Sequence, residues 1–413
     1  MCQNHNCQHI KSNNHVTVIL KMVDYCNFDC DFCRYPNNKN RNTMSLETYK
    51  VIVQKACEYN IHNGCNRLSI IYHGGEPLLW GLDRFKLAIQ FQDELRAKYP
   101  YLRIRNSIQT NGSLLNHEWI DFFKKNQFNI GLSIDGPDEI NFHRNSSGNQ
   151  IVFDNIKLMR KLDCHFGILS VITDKHAGWA DKYYEFLVDN EIHSVGLCYC
   201  IYDEDNQITV KNKILTDFLT RFFERYFHGE YRLSVREFES VIRLCLGGKA
   251  NACTFSYRSG CGNYFSIKPN GDVMFCDPYT LDKPALGNIL TETFFDIKVK
   301  PELQVIIEGA RQSIDNKCKQ CDIFDICGGG CFRNLFGGNQ NSFCETFKIV
   351  WPYIKETVTN RQQQYCTTKA IKLQNIEGSY VSDEKYILPD EDQEVYWQDD
   401  YQEVWYDAYI DNI

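Results

Sequence analysis

Six short apolar segments alternate with helical patterns through the first half of the chain, at intervals of roughly thirty to forty residues. Alternation of this kind is typical of βα units, and consecutive βα units build a parallel sheet. We therefore predict an α/β fold in which a partial (β/α)6 barrel carries its active site at the carboxyl ends of the strands. The predicted strands are Thr17–Val23, Arg67–Tyr72, Arg103–Thr110, Phe128–Ile134, His165–Ile172 and Ser194–Tyr199. The predicted helices are Ser45–Tyr59, Leu82–Tyr99, Asn116–Asn126, Ile151–Leu162 and Trp179–Asn190.

Three cysteines follow the first predicted strand with the spacing Cys26-x-x-x-Cys30-x-x-Cys33. Thiolates so close together can hold three irons of a cubane 4Fe–4S cluster, which takes four ligands. The fourth iron would stay open to a small molecule with chelating groups, which is a catalytic rather than a structural arrangement. The alternatives are part of a zinc site or a group of reduced core cysteines. The absence of a fourth nearby ligand favours the cluster over zinc.

A glycine-rich turn follows the second predicted strand, at the edge where we expect the cysteine triplet. Gly74 and Gly75 allow backbone groups to approach a ligand closely, and Glu76 could accept a hydrogen bond from an ammonium group. The turn Thr110-Asn111-Gly112 follows the third strand at the same edge. Each turn alone is weak support for a site, but their shared location indicates one.

The end of the fourth predicted strand adds polar side chains to this edge. Ser133 and Asp135 alternate there and could bind ribose hydroxyls or the polar end of an amino acid. Arg144, a few residues on, could pair with a carboxylate. The alternative for these residues is an ordinary hydrogen-bonded turn and a surface arginine.

The second half of the chain holds eight further clustered cysteines. A fold without metal has no need of so many soft ligands in one segment, and eight thiolates complete two four-cysteine sites. Two zinc sites would satisfy the same count, so the metal stays open at this point. The eight are Cys253, Cys261, Cys276, Cys318, Cys321, Cys327, Cys331 and Cys344.

Composition limits the setting of these sites. The chain has 413 residues, of which 43% are hydrophobic and 24% charged, as expected for one large domain with one or two smaller ones. The net charge of -8 argues against nucleic-acid binding, which needs a basic face. The polar start shows no signal peptide, and no apolar run approaches the length of a membrane span. We expect a cytoplasmic protein whose partners are small molecules or peptides, with no membrane contact, and whose cysteines are reduced.

The cysteine triplet, with Phe32 before its last member, and the Gly-Gly-Glu-Pro turn resemble the radical SAM superfamily. The resemblance implies a 4Fe–4S cluster on the triplet, whose open iron binds S-adenosylmethionine (AdoMet) and cleaves it to a 5'-deoxyadenosyl radical. That radical removes a hydrogen atom from the substrate. By motif, the resemblance implies that the cofactor lies against Phe32 and that its amino end meets Gly74, Gly75 and Glu76. It also implies that Ser133 and Asp135 bind the ribose or methionyl groups and that Arg144 binds the carboxylate.

The cysteines of the second half resemble the SPASM extension, which is found in radical SAM enzymes that modify peptides and proteins. The resemblance implies a cysteine-rich domain with two auxiliary 4Fe–4S clusters, three clusters in all. The first auxiliary set would be Cys253, Cys261, Cys276 and Cys331, and the second Cys318, Cys321, Cys327 and Cys344.

Within this class, the segment from Cys261-Gly262 to Leu286-Gly287-Asn288-Ile289 resembles the anaerobic sulfatase-maturating enzymes. In that family the aspartate beside a cluster cysteine is the base for the target side chain, so Asp277 is the candidate base. Its alternative role is hydrogen bonding to the cluster loop. Phe332-Arg333 in place of Pro-Lys, together with the extra C-terminal tail, favours peptide crosslinking, and the longer spacing from Cys253 to Cys261 is a further departure from the family.

We therefore predict a radical SAM enzyme that abstracts hydrogen from a residue of a ribosomally synthesised peptide and forms a thioether or carbon–carbon crosslink. The alternatives are formylglycine formation on a sulfatase and a non-catalytic iron–sulfur or zinc redox sensor. The expected partners are a peptide or protein with a leader sequence and an electron donor such as flavodoxin or ferredoxin. The expected organisation is a polar N-terminal segment (1–15), the barrel (16–225), a linker (226–250), the SPASM domain (251–350) and a C-terminal helix with an acidic aromatic tail (351–413).

Overall fold

The computed structural model describes residues 15–33, 41–144, 149–201, 210–250, 252–255, 261–277, 284–312, 316–331, 334 and 341–376. Almost all of the expected polar N-terminal segment, the pair Phe332-Arg333 and the acidic aromatic tail lie outside these residues. Within the described part of the chain, no helix is both long enough and apolar enough to cross a bilayer.

The six predicted strands are confirmed, and they lie side by side in chain order with parallel pairing throughout. This agrees with the predicted α/β fold and partial barrel, because each strand is followed by a crossover that returns the chain to the same edge. The strands are β1 (Thr17–Lys21), β2 (Arg67–His73), β3 (Arg103–Thr110), β4 (Asn129–Ser133), β5 (Gly167–Ile172) and β6 (Ser194–Tyr199).

Helices cover the outer face of this sheet. The first begins after Ser45, whose side chain accepts from the backbone N–H of Thr48, and it buries Ile52, Val53 and Ala56 against the strands. The five predicted helices are present, and a short one precedes the fourth of them. The helices of the barrel are α1 (Leu46–His62), α2 (Leu82–Lys98), α3 (His117–Lys125), α4 (Asp138–Asn141), α5 (Gln150–Lys161), α6 (Ala180–Asp189) and α7 (Asn212–His228), with 3-10 turns at Pro77–Trp80 and Asp174–His176.

The sheet extends beyond the six predicted strands at both edges. Strand β7 (Ser234–Val235) pairs with β6, and helix α8 (Arg236–Cys245) follows it at once. Residues 226–250, expected as a linker, are therefore part of the folded body. A two-residue strand is too short for its pattern to be read in the sequence.

The cysteine-rich half contributes three strands to the same sheet. Strand β8 (Tyr264–Ile267) pairs in parallel with β1, so that Thr17 lies opposite Tyr264. Strands β9 (Asp272–Met274) and β10 (Gly287–Asn288) continue the sheet with antiparallel pairing. The two halves of the chain thus share one sheet, which places the cysteine-rich loops next to the end of β1.

The remaining helices surround these loops. The longest packs against α7 and α8 through buried residues that include Phe347, Trp351 and Ile354. These helices are α9 (Phe294–Lys298), α10 (Pro301–Gln312), α11 (Asn316–Lys319), α12 (Phe324–Cys327) and α13 (Cys344–Ile376).

Candidate active site

The loop that carries the cysteine triplet is fastened to the glycine-rich turn by backbone hydrogen bonds. The N–H of Gly75 donates to the carbonyl of Val23 at 2.9 Å, and the N–H of Glu76 donates to the carbonyl of Tyr25 at 3.0 Å. These bonds continue the pairing of β1 with β2 past the ends of both strands. They fix the position of Cys26, the residue after Tyr25.

Only glycine fits at the two positions where the turn meets this loop. A Cβ atom on Gly75 would lie 1.8 Å from the carbonyl oxygen of Tyr25, and one on Gly74 would lie 2.4 Å from that of Val23. Gly74 also has a φ of +135°, which side-chain-bearing residues rarely adopt. The glycines thus allow a close backbone approach, and the group that approaches is the cysteine loop itself.

Glu76, predicted to accept a hydrogen bond from an ammonium group, has its carboxylate held by three protein donors in the structure. Its side chain is 1% exposed, and its oxygens accept from the N–H of Leu78 at 3.0 Å, the hydroxyl of Thr110 at 2.6 Å and the N–H of Asn111 at 2.8 Å. Burial raises the pKa of Glu76 to about 7, against the effect of these three donors. Glu76 therefore ties the turn after β3 to the turn after β2.

Asn111 carries this connection to the first cysteine. Its side-chain amide lies 3.7 Å from the Sγ of Cys26 and donates to the side chain of Asn27 at 2.9 Å. Its oxygen accepts from the backbone and the hydroxyl of Ser113, and Asn27 donates to that same hydroxyl at 2.8 Å. The sequence placed the Thr110-Asn111-Gly112 turn at this edge as part of the site but gave its side chains no individual role.

Arg144 lies on the other side of the cysteine loop and is held by a buried carboxylate. Its guanidinium stands 5.1 Å from the ring centre of Phe32 and donates to Asp135 at 2.6 Å. Asp135 also accepts from the N–H of Val171 at 2.7 Å, so its Oδ1 is occupied by protein donors. The buried Nε of Arg144 has no hydrogen-bond partner among the described residues. A carboxylate ligand is the group that such a donor would bind.

Two more contacts fasten the cysteine loop to the segment before Arg144. The ring of His143 lies 2.8 Å from the carboxylate of Asp31, and the N–H of Asp31 donates to the carbonyl of His143 at 2.9 Å. Ser133 lies further along the same edge and accepts from Gln109 at 2.8 Å. The structure thus brings Phe32, Ser133, Asp135 and Arg144 to the rim that the triplet occupies.

A buried lysine connects the barrel to Asp277. Lys21, at the end of β1, is 1% exposed and forms a salt bridge with Asp277, which is 33% exposed. Its ammonium group also lies 3.2 Å from Nδ1 of His73, and that nitrogen accepts from the N–H of Gly74 at 2.8 Å. Burial, with the Lys21 charge, lowers the pKa of His73 to about 4, so the ring is neutral. Lys21 was not predicted as a site residue, although a lysine inside an apolar strand needs a buried partner for its charge.

The second auxiliary set comes together in the structure. Burial raises the pKa of the Cys327 thiol to about 12, and the nearby Cys344, Cys318 and Cys321 act in the same direction. After Cys327 the chain passes through three glycines with positive φ, 56°, 87° and 71°, which turn it back toward Cys331. The predicted tight turn of the backbone is present here.

The first auxiliary set is drawn from three loops. The pairing of Ser266 with Met274 brings the start of β8 and the end of β9 to one end of a hairpin, where Cys261 and Cys276 lie. Cys331 lines a cavity together with Thr254, the neighbour of Cys253. These positions agree with one shared site, although they do not by themselves group the four thiols.

The cysteines are suited to a cluster rather than to free thiolates. Burial raises the pKa of Cys26 to about 11 and that of Cys30 to about 12, so both are thiols until a metal displaces their protons. Among the described residues, no three His, Cys, Asp or Glu side chains converge on the position of a single metal ion. A cubane spreads its four ligands around a larger body than one ion.

Comparison with known families identifies two regions of the chain. Residues 20–180 match the model of the radical SAM superfamily. Residues 260–322 match the SPASM model, described as an iron–sulfur cluster-binding domain. The first match runs from the end of β1 through β5, and the second includes four of the eight clustered cysteines, Cys261, Cys276, Cys318 and Cys321.

Full-length relatives extend this similarity. The chain is 30% identical over 349 residues to a cysteine-type anaerobic sulfatase-maturating enzyme of Clostridium perfringens, covering 79% of this chain and 93% of that one. It is 26% identical to a serine-type enzyme of Bacteroides thetaiotaomicron, covering 86% and 95%.

Solved structures agree with the fold. The structure of anSMEcpe with bound AdoMet and the Cp18Cys peptide superposes with a TM-score of 0.74 at 28% identity, covering 84% of this chain and 99% of that one. Streptococcus suis SuiB bound to S-adenosylmethionine gives a TM-score of 0.60 at 18% identity, over 81% of this chain and 78% of that one, which is a likeness of fold alone.

Proposed function

Because the chain belongs to the radical SAM family that includes the anaerobic sulfatase-maturating enzymes, we propose that it oxidises the Cβ atom of a cysteine or serine in a peptide or protein substrate. The overall change removes one hydrogen atom, one proton and one electron from the target side chain. For serine this gives the aldehyde directly, and for cysteine it gives a thioaldehyde that water hydrolyses to the aldehyde with release of hydrogen sulfide. The sequence favoured crosslinking as the outcome, and the relatives together with the position of Asp277 now favour oxidation.

The observation that carries this proposal is the salt bridge between Asp277 and Lys21 at the end of β1. It places a carboxylate of the cysteine-rich half at the rim that holds the AdoMet motifs. The buried ammonium group of Lys21 pairs with this carboxylate, and a carboxylate can take the proton of a thiol or hydroxyl. Because Asp277 remains 33% exposed, a substrate side chain can reach it.

The cofactor would lie between the cysteine loop and the ends of the first four strands. We assign its carboxylate to the unpartnered Nε of Arg144 and its amino end to the backbone around Gly74 and Gly75. Ser133 and Asp135 would face its ribose or methionyl groups, with Phe32 packed beside Arg144. Glu76 supports the cofactor site indirectly, because its carboxylate holds the turns that position the cofactor.

When bound, the clusters and AdoMet supply the 5'-deoxyadenosyl radical and an acceptor for the electron that leaves the substrate. Cys26, Cys30 and Cys33 would hold the cluster at the barrel rim. The two auxiliary sets would hold a cluster each, and a small redox protein such as flavodoxin or ferredoxin would deliver electrons from outside. The protein's own work is to bind the peptide, to exclude water from the rim and to hold the proton acceptor in place.

A peptide assay tests the proposal directly. Anaerobically reconstituted protein is incubated with AdoMet, a reductant and a sulfatase-derived peptide with cysteine at the target position, and then with a serine version of that peptide. We expect an aldehyde that a hydrazide probe traps and mass spectrometry locates. Asp277→Asn should still cleave AdoMet but form little aldehyde, with Asp272→Asn, at a half-buried aspartate at the start of β9, as a matched control. Aldehyde formation by Asp277→Asn at the wild-type rate would contradict the assigned base.

Crosslinking of a ribosomal peptide remains the second candidate, because one sequence feature favours it. Seven residues separate Cys253 from Cys261, where the maturases have fewer. A crosslinked peptide loses two hydrogens and gives no aldehyde, so the same mass measurement separates the two reactions.

A further inference from the structure

A cavity opens where the last strand of the barrel meets the cysteine-rich loops. Its volume is about 80 Å³, and its walls include Cys198 and Tyr199 from the end of β6 and Arg236 from the start of α8. Cys327 and Cys331, proposed ligands of the two auxiliary clusters, also line it. The cavity therefore lies against the auxiliary cluster sites.

Arg236 is fixed in the wall of this cavity. Its Nε and Nη2 donate to one oxygen of Glu237 at 2.8 and 2.6 Å, and the other oxygen of Glu237 accepts from the N–H of Leu197 at 2.7 Å. Glu237 is 2% exposed, so this ion pair is shielded from water. Since both partners are anchored to β6, the guanidinium charge cannot swing out to solvent.

Arg236 lines the cavity together with Cys331 of the first auxiliary set. Cys253, of the same proposed set, directly precedes Thr254, which lines the cavity as well. A 4Fe–4S cube with four thiolates is an anion, and a buried anion is stabilised by a fixed cation nearby.

Tyr199 adds a donor to the same wall. Its hydroxyl is buried without a hydrogen-bond partner among the described residues, and its ring packs against Phe343 and Phe347 at centroid distances of 5.4 and 6.1 Å. Buried hydroxyls in native structures are nearly always hydrogen-bonded. The acceptor that fits this position is a sulfide or thiolate of a cluster held in the cavity.

We propose that Arg236 and Tyr199 face the auxiliary cluster ligated by Cys253 and Cys331 and raise its reduction potential. Reduction adds an electron to an anionic cluster, so a fixed cation and a hydrogen bond to sulfur stabilise the reduced form more than the oxidised one. A raised potential makes this cluster the better acceptor for the electron that leaves the substrate. The inference rests on the proposed ligand set but not on the identity of the peptide product.

The test is a redox titration of the reconstituted holoenzyme, followed by electron paramagnetic resonance. Arg236→Gln removes the charge and keeps a donor for Glu237, and Tyr199→Phe removes only the hydroxyl. We expect the potential of one auxiliary cluster to become more negative in both variants, and more so in Arg236→Gln. Arg236→Lys should stay close to wild type. Arg243→Gln, exposed on the same helix, is the matched control and should leave every potential unchanged.

Several results would overturn the inference. An Arg236→Gln enzyme with full iron content and an unchanged potential would show that the charge does not act on the cluster. Loss of iron from both Arg236 variants would show that the residue assembles the site instead of tuning it. A Cys331→Ala enzyme that keeps all of its iron would remove the ligand set and the inference with it. In each of these cases the wild-type protein would still form the aldehyde, so the proposed function would stand.

Discussion

The substitution Glu76→Gln tests the assignment of Glu76 as a buried carboxylate that holds two turns together. In the structure its two oxygens accept from Leu78, Thr110 and Asn111. Glutamine keeps one acceptor oxygen, but its NH2 group would face a backbone N–H, so that two donors meet. The lost charged hydrogen bond and the unsatisfied donor lower the free energy of unfolding by about 2–4 kcal/mol. It also removes the cost of ionising a buried carboxyl, whose pKa is raised to about 7.

The two effects oppose each other, and pH separates them. Because the folded pKa of Glu76 lies above its unfolded value of 4.5, wild type binds more protons when folded and loses stability as pH rises from about 4.5 to about 7. A shift of this size costs up to about 3 kcal/mol above the folded pKa, and roughly 1 kcal/mol of that falls between pH 6 and pH 8. Glu76→Gln lacks this dependence, so its free energy of unfolding relative to wild type should rise by that amount.

The assay is urea unfolding under anaerobic conditions at pH 6 and pH 8, followed by tryptophan fluorescence. Glu118→Gln, at a residue 67% exposed, is the control and should change the unfolding free energy by less than about 0.5 kcal/mol at both pH values. AdoMet cleavage by Glu76→Gln should fall roughly ten- to a hundredfold, because the Asn111 turn beside Cys26 loses an anchor. A stability difference from wild type that does not change with pH would refute the buried, pKa-raised carboxylate.

Three further predictions concern other residues of the account. Gly75→Ala should lose the iron of the barrel cluster, since its Cβ would stand 1.8 Å from a backbone oxygen of the cysteine loop, whereas Gly309→Ala, with open space around it, should keep all iron. Burial lowers the pKa of His15 to about 4, so the folded wild type keeps the ring neutral while the unfolded chain takes up a proton. From pH 7 to pH 5 the unfolding free energy of wild type in urea should therefore fall by about 2 kcal/mol more than that of His15→Gln. Lys21→Met should uncouple the reaction, with 5'-deoxyadenosine still formed but product yield reduced roughly tenfold, because Asp277 loses its buried cation.

The barrel could be predicted because its six strands are apolar runs separated by amphipathic helices, and each run keeps its period over several residues. Strand β8 could not, since Tyr264–Ile267 gains its place in the sheet by pairing with β1, almost the whole barrel away in sequence. Such long-range pairing leaves no local pattern to read.

The site divides in the same way. The cysteines and the two glycines could be located because their residue types are needed at fixed spacings. The hydrogen bonds of Glu76 to the turn after β3 could not be predicted, because they join residues more than thirty positions apart. Lys21 and Arg236 were not predicted, because their roles depend on contacts between distant parts of the chain. Lys21 pairs with Asp277 of the cysteine-rich half, and Arg236 is hydrogen-bonded to Leu197 of β6.

The most direct test of the central claim is the formation of 5'-deoxyadenosine from AdoMet by the anaerobically reconstituted, reduced protein. Wild type and Cys65→Ala, a half-buried cysteine outside every proposed set, should both release the nucleoside. Cys26→Ala, Cys30→Ala and Cys33→Ala should each release none, because each lacks a ligand of the cluster that binds AdoMet. Nucleoside release at the wild-type rate by any of these three variants, or its absence from wild type with all clusters in place, would contradict the account.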